Sequence, residues 1–227
     1  MTSILSSVSA RTRRSARVAA IVAASLAGIA GAAALDAGSV RAESAELPVN
    51  ELATEITASA SAAVAALDAY VESGSVADEQ TLAWHRAITA RYTARQLGYD
   101  ELAMVDAWSR TGLGHQRAVL GALTQVGVPY RTNTSIENEG FDCSGLTTYA
   151  WAGAGVDLYR QSGAQISNAT RLDRDAAKAG DLVHYPGHVM LYLGVDDAIV
   201  HSVQTGRTVE IDTITSRRSV SFGDPSA

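Results

Sequence analysis

Residues 141–155, "FDCSGLTTYAWAGAG", contain Cys143, the only cysteine of this 227-residue chain. Asp142 is of a type that caps helix N-termini, and Leu146 and Ala150 are spaced as on one helix face. The pattern predicts a helix that begins at Cys143 and ends at the glycines that follow. Free backbone N–H groups and the helix dipole stabilise a thiolate at such a position. Because a single cysteine cannot form an internal disulfide, Cys143 is a reactive thiol, a structural residue or a bridge to another chain.

Two histidines lie on predicted strands downstream of the cysteine. His188 begins a segment in which Val189, Leu191 and Leu193 alternate with the residues of its own face, so the aliphatic set is expected to face the core. His201 lies on the next predicted strand, and the short turn between the strands makes them antiparallel neighbours. We therefore expect His188 and His201 roughly opposite each other, with one imidazole as a base and the other holding its tautomer.

The arrangement of predicted elements indicates the fold class. Amphipathic helical spacing extends over residues 44–112 and again over 116–125. Short β-like segments then follow at 180–185, 188–193, 198–203 and 208–214. Helices first and an antiparallel run afterwards predict an α+β fold, with helices packed on a sheet.

The first 42 residues differ from the rest of the chain. Arginines precede an uncharged Ala- and Gly-rich run, which is the order of an export signal peptide; a retained membrane anchor is the alternative. This segment holds five arginines and one aspartate, so the remaining chain carries −10, against −6 for the whole. Such a negative charge argues against a nucleic-acid partner. We expect a secreted or wall-associated protein.

The chain is predicted to have three parts: a signal peptide at 1–42, a helical segment at 43–112 and a second domain at 113–227. The helical segment carries no chemical motif, so it is interpreted as a spacer, a docking surface for a protein partner, or a regulatory element that partly covers the site. No cofactor or metal is expected. His184 and His188 are four apart, but the Pro-Gly pair between them excludes the helix that would align them as ligands.

Five short motifs in order, "VGVPY", "GFDCSGL", "GDLVHY", "GHVMLYLG" and "AIVHS", resemble the NlpC-type bacterial cell-wall cysteine peptidases over about residues 114–215. The resemblance implies a papain-like α+β core. It also implies an enzyme that cleaves stem peptides of peptidoglycan, commonly between D-glutamate and a diamino acid, through an acyl-enzyme thioester. The segment "RTNTSIENEG" departs from the family, which usually has a tryptophan and two glycines there, so the rim of the substrate groove is expected to differ.

The same resemblance assigns roles to individual residues. It implies Cys143 as nucleophile, His188 as general base and His201 as the third, orienting residue. Substrate-binding residues carried over from the family are Tyr130, which sits over the site, and Asp142 and Ser144, which help to bind the peptide amine.

Two alternatives stay open at this stage. The same scaffold can act as a cysteine amidase or acyl transferase. The chain can also be an inactive or latent module that binds the wall or regulates a partner, in which case the helical segment would carry the function.

Overall fold

The computed structural model describes residues 50–215 and 219–227. The segment interpreted as an export signal lies outside these residues. Within the described ranges, none of the helices is both long and apolar enough to cross a membrane.

Four helices form the first part of the described chain. They are α1 (Ala53–Ser73), α2 (Val76–Leu97), α3 (Glu101–Ser109) and α4 (Leu113–Leu123). The break between α1 and α2 follows from two adjacent residues: Gly74 adopts φ 60° and ends α1, and the Ser75 side chain accepts a hydrogen bond from Asp78 N at the start of α2.

The second part combines short helices with strands. Its elements are β1 (Ser135–Ile136), β2 (Gly140–Phe141), α5 (Cys143–Ala152), α6 (Ser162–Asn168), β3 (Thr170–Leu172), β4 (Leu182–Tyr185), β5 (His188–Tyr192), β6 (Ala198–Ser202), β7 (Val209–Thr213) and β8 (Ser221–Asp224). The main sheet has the order β3-β8-β4-β5-β6-β7, and all of its pairs are antiparallel. The predicted α+β fold, with helices packed on an antiparallel sheet, is confirmed.

The alternation along β5 divides the buried residues between the two faces of the sheet. Val189 and Leu191 join the main core beneath the helices, as predicted. Met190 and Tyr192 lie in a smaller apolar cluster on the opposite face, together with Ile199 of β6. The histidine-bearing face of the sheet is therefore also buried.

Helices α1 to α3 share the main core with the domain that follows them. Trp108 of α3 donates a hydrogen bond from Nε1 to the carbonyl of Leu193, at 2.8 Å. Asn50, just before α1, donates to the carbonyl of Ile211 at 2.9 Å and accepts from its N–H at 2.7 Å. The described residues from Asn50 onward accordingly lie within one compact unit.

A buried charged cluster joins α4 to β4 and β8. His115 Nε2 lies 3.1 Å from Asp181 Oδ1 and 3.4 Å from Asp224 Oδ1. These three side chains are close enough to hold a metal ion. Both carboxylates already have partners, since Lys178 Nζ lies 2.8 Å from Asp224 Oδ2 and the Lys178 backbone N–H donates to Asp181 Oδ2. We interpret the cluster as a structural ion-pair network.

Candidate active site

Cys143 is the first residue of α5, as the sequence predicts. Asp142 is the N-cap: its backbone is extended and its Oδ1 accepts the N–H of Gly145 at 2.7 Å. The thiol is half-buried and forms no disulfide. Cys143 thus lies at the positive end of the α5 dipole, in the turn whose backbone N–H groups have no acceptor within the helix.

Close backbone packing fixes the start of α5. A side chain at Gly145 would place its Cβ 2.0 Å from the carbonyl oxygen of Thr134, so only glycine fits there. The same Thr134 oxygen accepts the N–H of Asp142. On the sheet side, Ser202 Oγ donates to the carbonyl of Phe141 at 2.7 Å, which ties the residues before Cys143 to the end of β6.

His188 and His201 are brought together by β5 and β6. His188 Nε2 lies 2.9 Å from His201 Nδ1, and the rings meet at 78° with their centroids 5.1 Å apart. Both residues are buried, with exposed fractions of 7% and 8%. One proton must therefore lie between the two nitrogens, which makes the histidines a coupled pair.

The register corrects one detail of the sequence prediction. Leu191 pairs with Val200, so the residue facing His201 lies two positions from His188. The two histidines, expected roughly opposite each other, are diagonal neighbours whose rings are in contact. The turn between the strands sets this offset, since Leu193 N donates to the carbonyl of Ala198 and closes the hairpin there.

Asp142 and Ser144 are held by Arg160, a residue that the sequence analysis did not identify. The Arg160 guanidinium binds both carboxylate oxygens of Asp142, at 2.9 and 2.7 Å, and reaches Ser144 Oγ at 2.8 Å. Burial raises the pKa of the Asp142 carboxyl, but hydrogen bonds from Arg160 and from the backbone of Gly145 and Asn133 outweigh it and lower this pKa. A peptide amine at this position would share the carboxylate with Arg160.

Gln165 of α6 supports the same corner of the site. It is 2% exposed, and its Nε2 donates to the carbonyls of Ser144 and Tyr159 at 3.0 and 2.8 Å. Because Tyr159 immediately precedes Arg160, this amide couples α5 to the segment that carries the guanidinium. The sequence offers no periodic signal for such a long-range contact.

Tyr130 lies beside the thiol. Its backbone forms a parallel bridge with Phe141, and its N–H donates to the carbonyl of Arg207. Partial burial, followed by the negative charges of Cys143 and Asp142, raises the pKa of the Tyr130 phenol. The phenol therefore stays protonated near neutral pH and can donate a hydrogen bond.

A cleft lies elsewhere on the domain and is not lined by Cys143, His188 or His201. It has a volume of about 480 Å³ and lies between α1, α4, α5 and the β1–β2 turn. Two pairs of its lining residues are hydrogen-bonded to each other: Tyr149 donates to Glu137, and Gln125 accepts the N–H of Asn138.

The comparisons with known proteins connect the second part of the chain with one family. Residues 127–220 match the model of the NlpC/P60 family. This segment is similar to NlpC/P60 domains. It contains Cys143, His188 and His201, together with Tyr130 and Arg160, and it confirms the resemblance predicted from the sequence motifs.

Several curated relatives are similar to the NlpC/P60 segment. Peptidoglycan endopeptidase RipB of Mycobacterium tuberculosis is 38% identical over 100 residues, which cover 37% of this chain and 42% of RipB. Probable endopeptidase p60 of Listeria monocytogenes is 48% identical over 59 residues, 24% of this chain and 12% of p60. The chain thus spans less than half the length of these curated relatives.

Two solved structures are also similar to part of this chain. An NlpC/P60 family protein from Bacillus cereus is 31% identical, with a TM-score of 0.40 over 44% of this chain and 34% of that chain. RipD of Mycobacterium tuberculosis is described as a non-catalytic NlpC/p60 domain protein adapted to peptidoglycan binding. It is 29% identical, with a TM-score of 0.42 over 50% of this chain and 98% of that chain.

Proposed function

We propose that this protein is an exported peptidoglycan hydrolase, a cysteine endopeptidase that cleaves stem-peptide bonds. The observation that carries the proposal is the hydrogen-bonded pair of His188 and His201 within an NlpC/P60 domain whose only cysteine starts a helix. Relatives bear the names peptidoglycan endopeptidase and, for one from Bacillus cereus, gamma-D-glutamyl-L-lysine dipeptidyl-peptidase, 38% identical over 80 residues, 32% of this chain and 24% of that one. We therefore propose the bond between D-glutamate and the diamino acid.

The first half of the reaction is acylation of Cys143. The Nε2 of His188 is engaged with His201, which leaves its Nδ1 to take the thiol proton. The thiolate attacks the scissile carbonyl carbon, and the N–H groups at the start of α5 bind the oxyanion; each such donor is worth roughly 3 kcal/mol in other enzymes. His188 then gives its proton to the leaving amine, and a thioester to Cys143 is left.

Hydrolysis of the thioester completes the cycle. His188 takes a proton from water, the resulting hydroxide attacks the thioester carbonyl, and the proton returns to the departing thiolate. His201 accepts from His188 Nε2 throughout and stabilises the imidazolium that forms twice per turnover.

Substrate contacts are proposed at the rim above the thiol. Tyr130 presents a protonated phenol there, and Asp142 with Ser144 presents a polar corner. Because Arg160 balances the charge of Asp142, we propose that this corner recognises the peptide backbone or amine through hydrogen bonds shared with the guanidinium.

The proposal is tested with purified peptidoglycan and residues 43–227. Mass spectrometry of the soluble products identifies the cleaved bond, and Cys143→Ala is the matched control. We expect new peptide termini at the D-glutamyl–diamino acid bond with the unsubstituted protein only. Equal products from both proteins, or none from either under reducing conditions, would contradict the proposed activity.

Two other functions use the same domain. An amidase would release the whole stem peptide from the glycan, and an acyl transferase would join the acyl group to an added amine; both give products of different mass in the same experiment. A non-catalytic role, as described for RipD, is favoured less because the cysteine and both histidines are all present here. Export through the first 42 residues is tested by N-terminal sequencing of the mature protein.

A further inference from the structure

The ring nitrogen of His201 that faces away from His188 has no hydrogen-bond partner. His201 Nε2 is buried, and the described residues place no acceptor within hydrogen-bonding distance of it. A buried imidazole N–H without an acceptor is costly, by about 1–3 kcal/mol. Asp212 lies next to it, with Oδ2 3.6 Å from Nε2.

The position of Asp212 is set by the sheet. Asp212 is on β7 and pairs with Ile199 of β6, so its side chain is on the same face as His201. Its other oxygen, Oδ1, accepts the N–H of Thr213 at 2.7 Å and so orients the carboxylate. The nearby His201 imidazole is the main cause that lowers the pKa of Asp212, and the Thr213 backbone N–H lowers it further, against the opposing effect of burial.

The neighbouring acid is already engaged elsewhere. Glu210 is directly opposite His201 in the β6–β7 register. It is 2% exposed, and its carboxylate is bound by the Arg207 guanidinium, with Arg207 Nε 2.8 Å from Oε1, and by Thr208. Asp212 is half-exposed and, apart from its own backbone neighbour, has its charge directed at His201.

We propose that Asp212 is a positioning residue that fixes His201 in the tautomer with its proton on Nε2. In that tautomer Nδ1 of His201 is an acceptor, so His188 must donate from Nε2 and keep Nδ1 for the thiol. This inference rests on the proposed cysteine peptidase mechanism. In the resulting series each residue donates to the next: Cys143 to His188, His188 to His201, and His201 to Asp212.

Two arrangements would connect His201 Nε2 with Asp212 Oδ2 across the 3.6 Å that separates them. Either a small side-chain shift brings the carboxylate to bonding distance, or a water bridges the two atoms. A cavity of about 170 Å³ is lined by both His201 and Asp212, and its other walls include Met190, Ile199 and Ile214. That volume exceeds what one water molecule needs, and the two polar groups are the partners that such a water requires.

Asp212→Asn keeps the shape of the side chain but replaces one acceptor oxygen with an NH₂ donor. If the amide oxygen keeps the Thr213 N–H, the amide NH₂ faces His201 Nε2 and forces its proton to Nδ1. That proton would then meet His188 Nε2 and remove the acceptor that the imidazolium needs. If the amide flips, its NH₂ meets the Thr213 N–H instead. The first orientation reverses the hydrogen bond between the two histidines, and the second removes the acceptor of the Thr213 N–H.

The test combines kinetics with nitrogen NMR of the histidine rings. The variants are Asp212→Asn, Asp212→Glu and, as a matched control, Asp197→Asn, a half-exposed acid paired with Arg174. We expect Asp212→Asn to lower kcat by about 10- to 100-fold with little change in KM, Asp212→Glu to recover part of the loss, and the control to behave as wild type. In wild type the His201 ring should carry its proton on Nε2, and in Asp212→Asn it should not.

Each result decides separately on the proposal and on the mechanism beneath it. Wild-type kcat in Asp212→Asn, or an Nδ1 proton on His201 in the unsubstituted protein, would overturn the positioning role. If the wild-type protein cleaves no stem peptide, the proposed function fails, but the NMR comparison still measures whether Asp212 sets the tautomer. Circular dichroism of each variant verifies that the fold is retained.

Discussion

The Nε2 atom of His188 on β5 lies 2.9 Å from Nδ1 of His201 on β6, and both residues are buried. In the proposed mechanism this contact engages Nε2 of His188, so Nδ1 is the nitrogen that acts on the thiol. It also makes the protonation of one ring depend on the tautomer of the other. The expected properties of the site follow from this dependence.

Substitutions of His201 should distinguish its role as a hydrogen-bond acceptor for His188 from its role in filling space beside that ring. His201→Asn keeps an oxygen that can accept from His188 Nε2, whereas His201→Leu does not. We expect the leucine variant to lose about 10- to 100-fold more kcat than the asparagine variant. His188→Ala should lose at least about 10³-fold, since the base itself is gone. Initial rates on a synthetic stem peptide measure all three, and a leucine variant as active as the asparagine variant would contradict this role.

Gly145 should tolerate no side chain. Alanine there would clash with the carbonyl oxygen of Thr134, 2.0 Å from the added Cβ, so we expect the free energy of unfolding to fall by about 1–3 kcal/mol. Gly163 of α6 is the matched control, because a Cβ there meets nothing within 4 Å. Gly163→Ala should be neutral or stabilise by up to about 1 kcal/mol. Urea unfolding of both variants measures the difference, and equal stabilities would refute the tight approach.

The ion pair of Asp224 should make stability depend on acid pH. Burial raises the pKa of this carboxyl, but hydrogen bonds from Lys178 and Ser226 lower it to about 2. An unfolded aspartate has a pKa of about 3.9, so the folded state is favoured above that pH, and the advantage is lost as the pH falls towards 2.

The variant Asp224→Asn isolates this contribution. It should be less stable than wild type at neutral pH, and the difference should shrink between about pH 4 and pH 2. Asp157→Asn, at an exposed position, serves as the control. Denaturant unfolding over this pH range gives the comparison; a difference that stays constant with pH would show that Asp224 does not act through its charge.

The link between the helical segment and the sheet should contribute to stability but not to catalysis. Asn50→Ala leaves the buried N–H and carbonyl of Ile211 without partners, so we expect the free energy of unfolding to fall by about 2 kcal/mol. Asn168→Ala, at an exposed position, should change it by less than about 0.5 kcal/mol. Unchanged kcat and KM in both variants are expected, whereas an altered kcat in Asn50→Ala would favour regulation by the helices.

The elements nearest the chemistry were predictable because their signals are local. An N-cap aspartate before an i, i+4 stripe determines where α5 begins, and alternation along β5 and β6 determines which face holds each histidine. The diagonal register was not predictable, since it depends on the conformation of one turn. The alternation of Glu210 and Asp212 along β7 was a usable signal, because it puts both acids on the face of His201.

Other features depend on long-range contacts. β3 and β8 are short, and β8 comes from the end of the chain yet lies between β3 and β4. Local sequence patterns therefore do not predict their pairing. Arg160 stands in an irregular segment, and its partner Asp142 is 18 residues away. Ion pairs of this kind become visible only when the fold brings the segments together.

In the proposed mechanism the sulfur of Cys143 carries the acyl group during turnover. Rapid acid quenching of the protein with a synthetic stem peptide, followed by peptide mass spectrometry, would detect this intermediate. We predict an acyl adduct on the peptide that contains Cys143, removed by hydroxylamine as a thioester should be, and absent from Cys143→Ala. Cleavage that proceeds with no adduct on Cys143, and at the same rate in the alanine variant, would rule out Cys143 as the nucleophile.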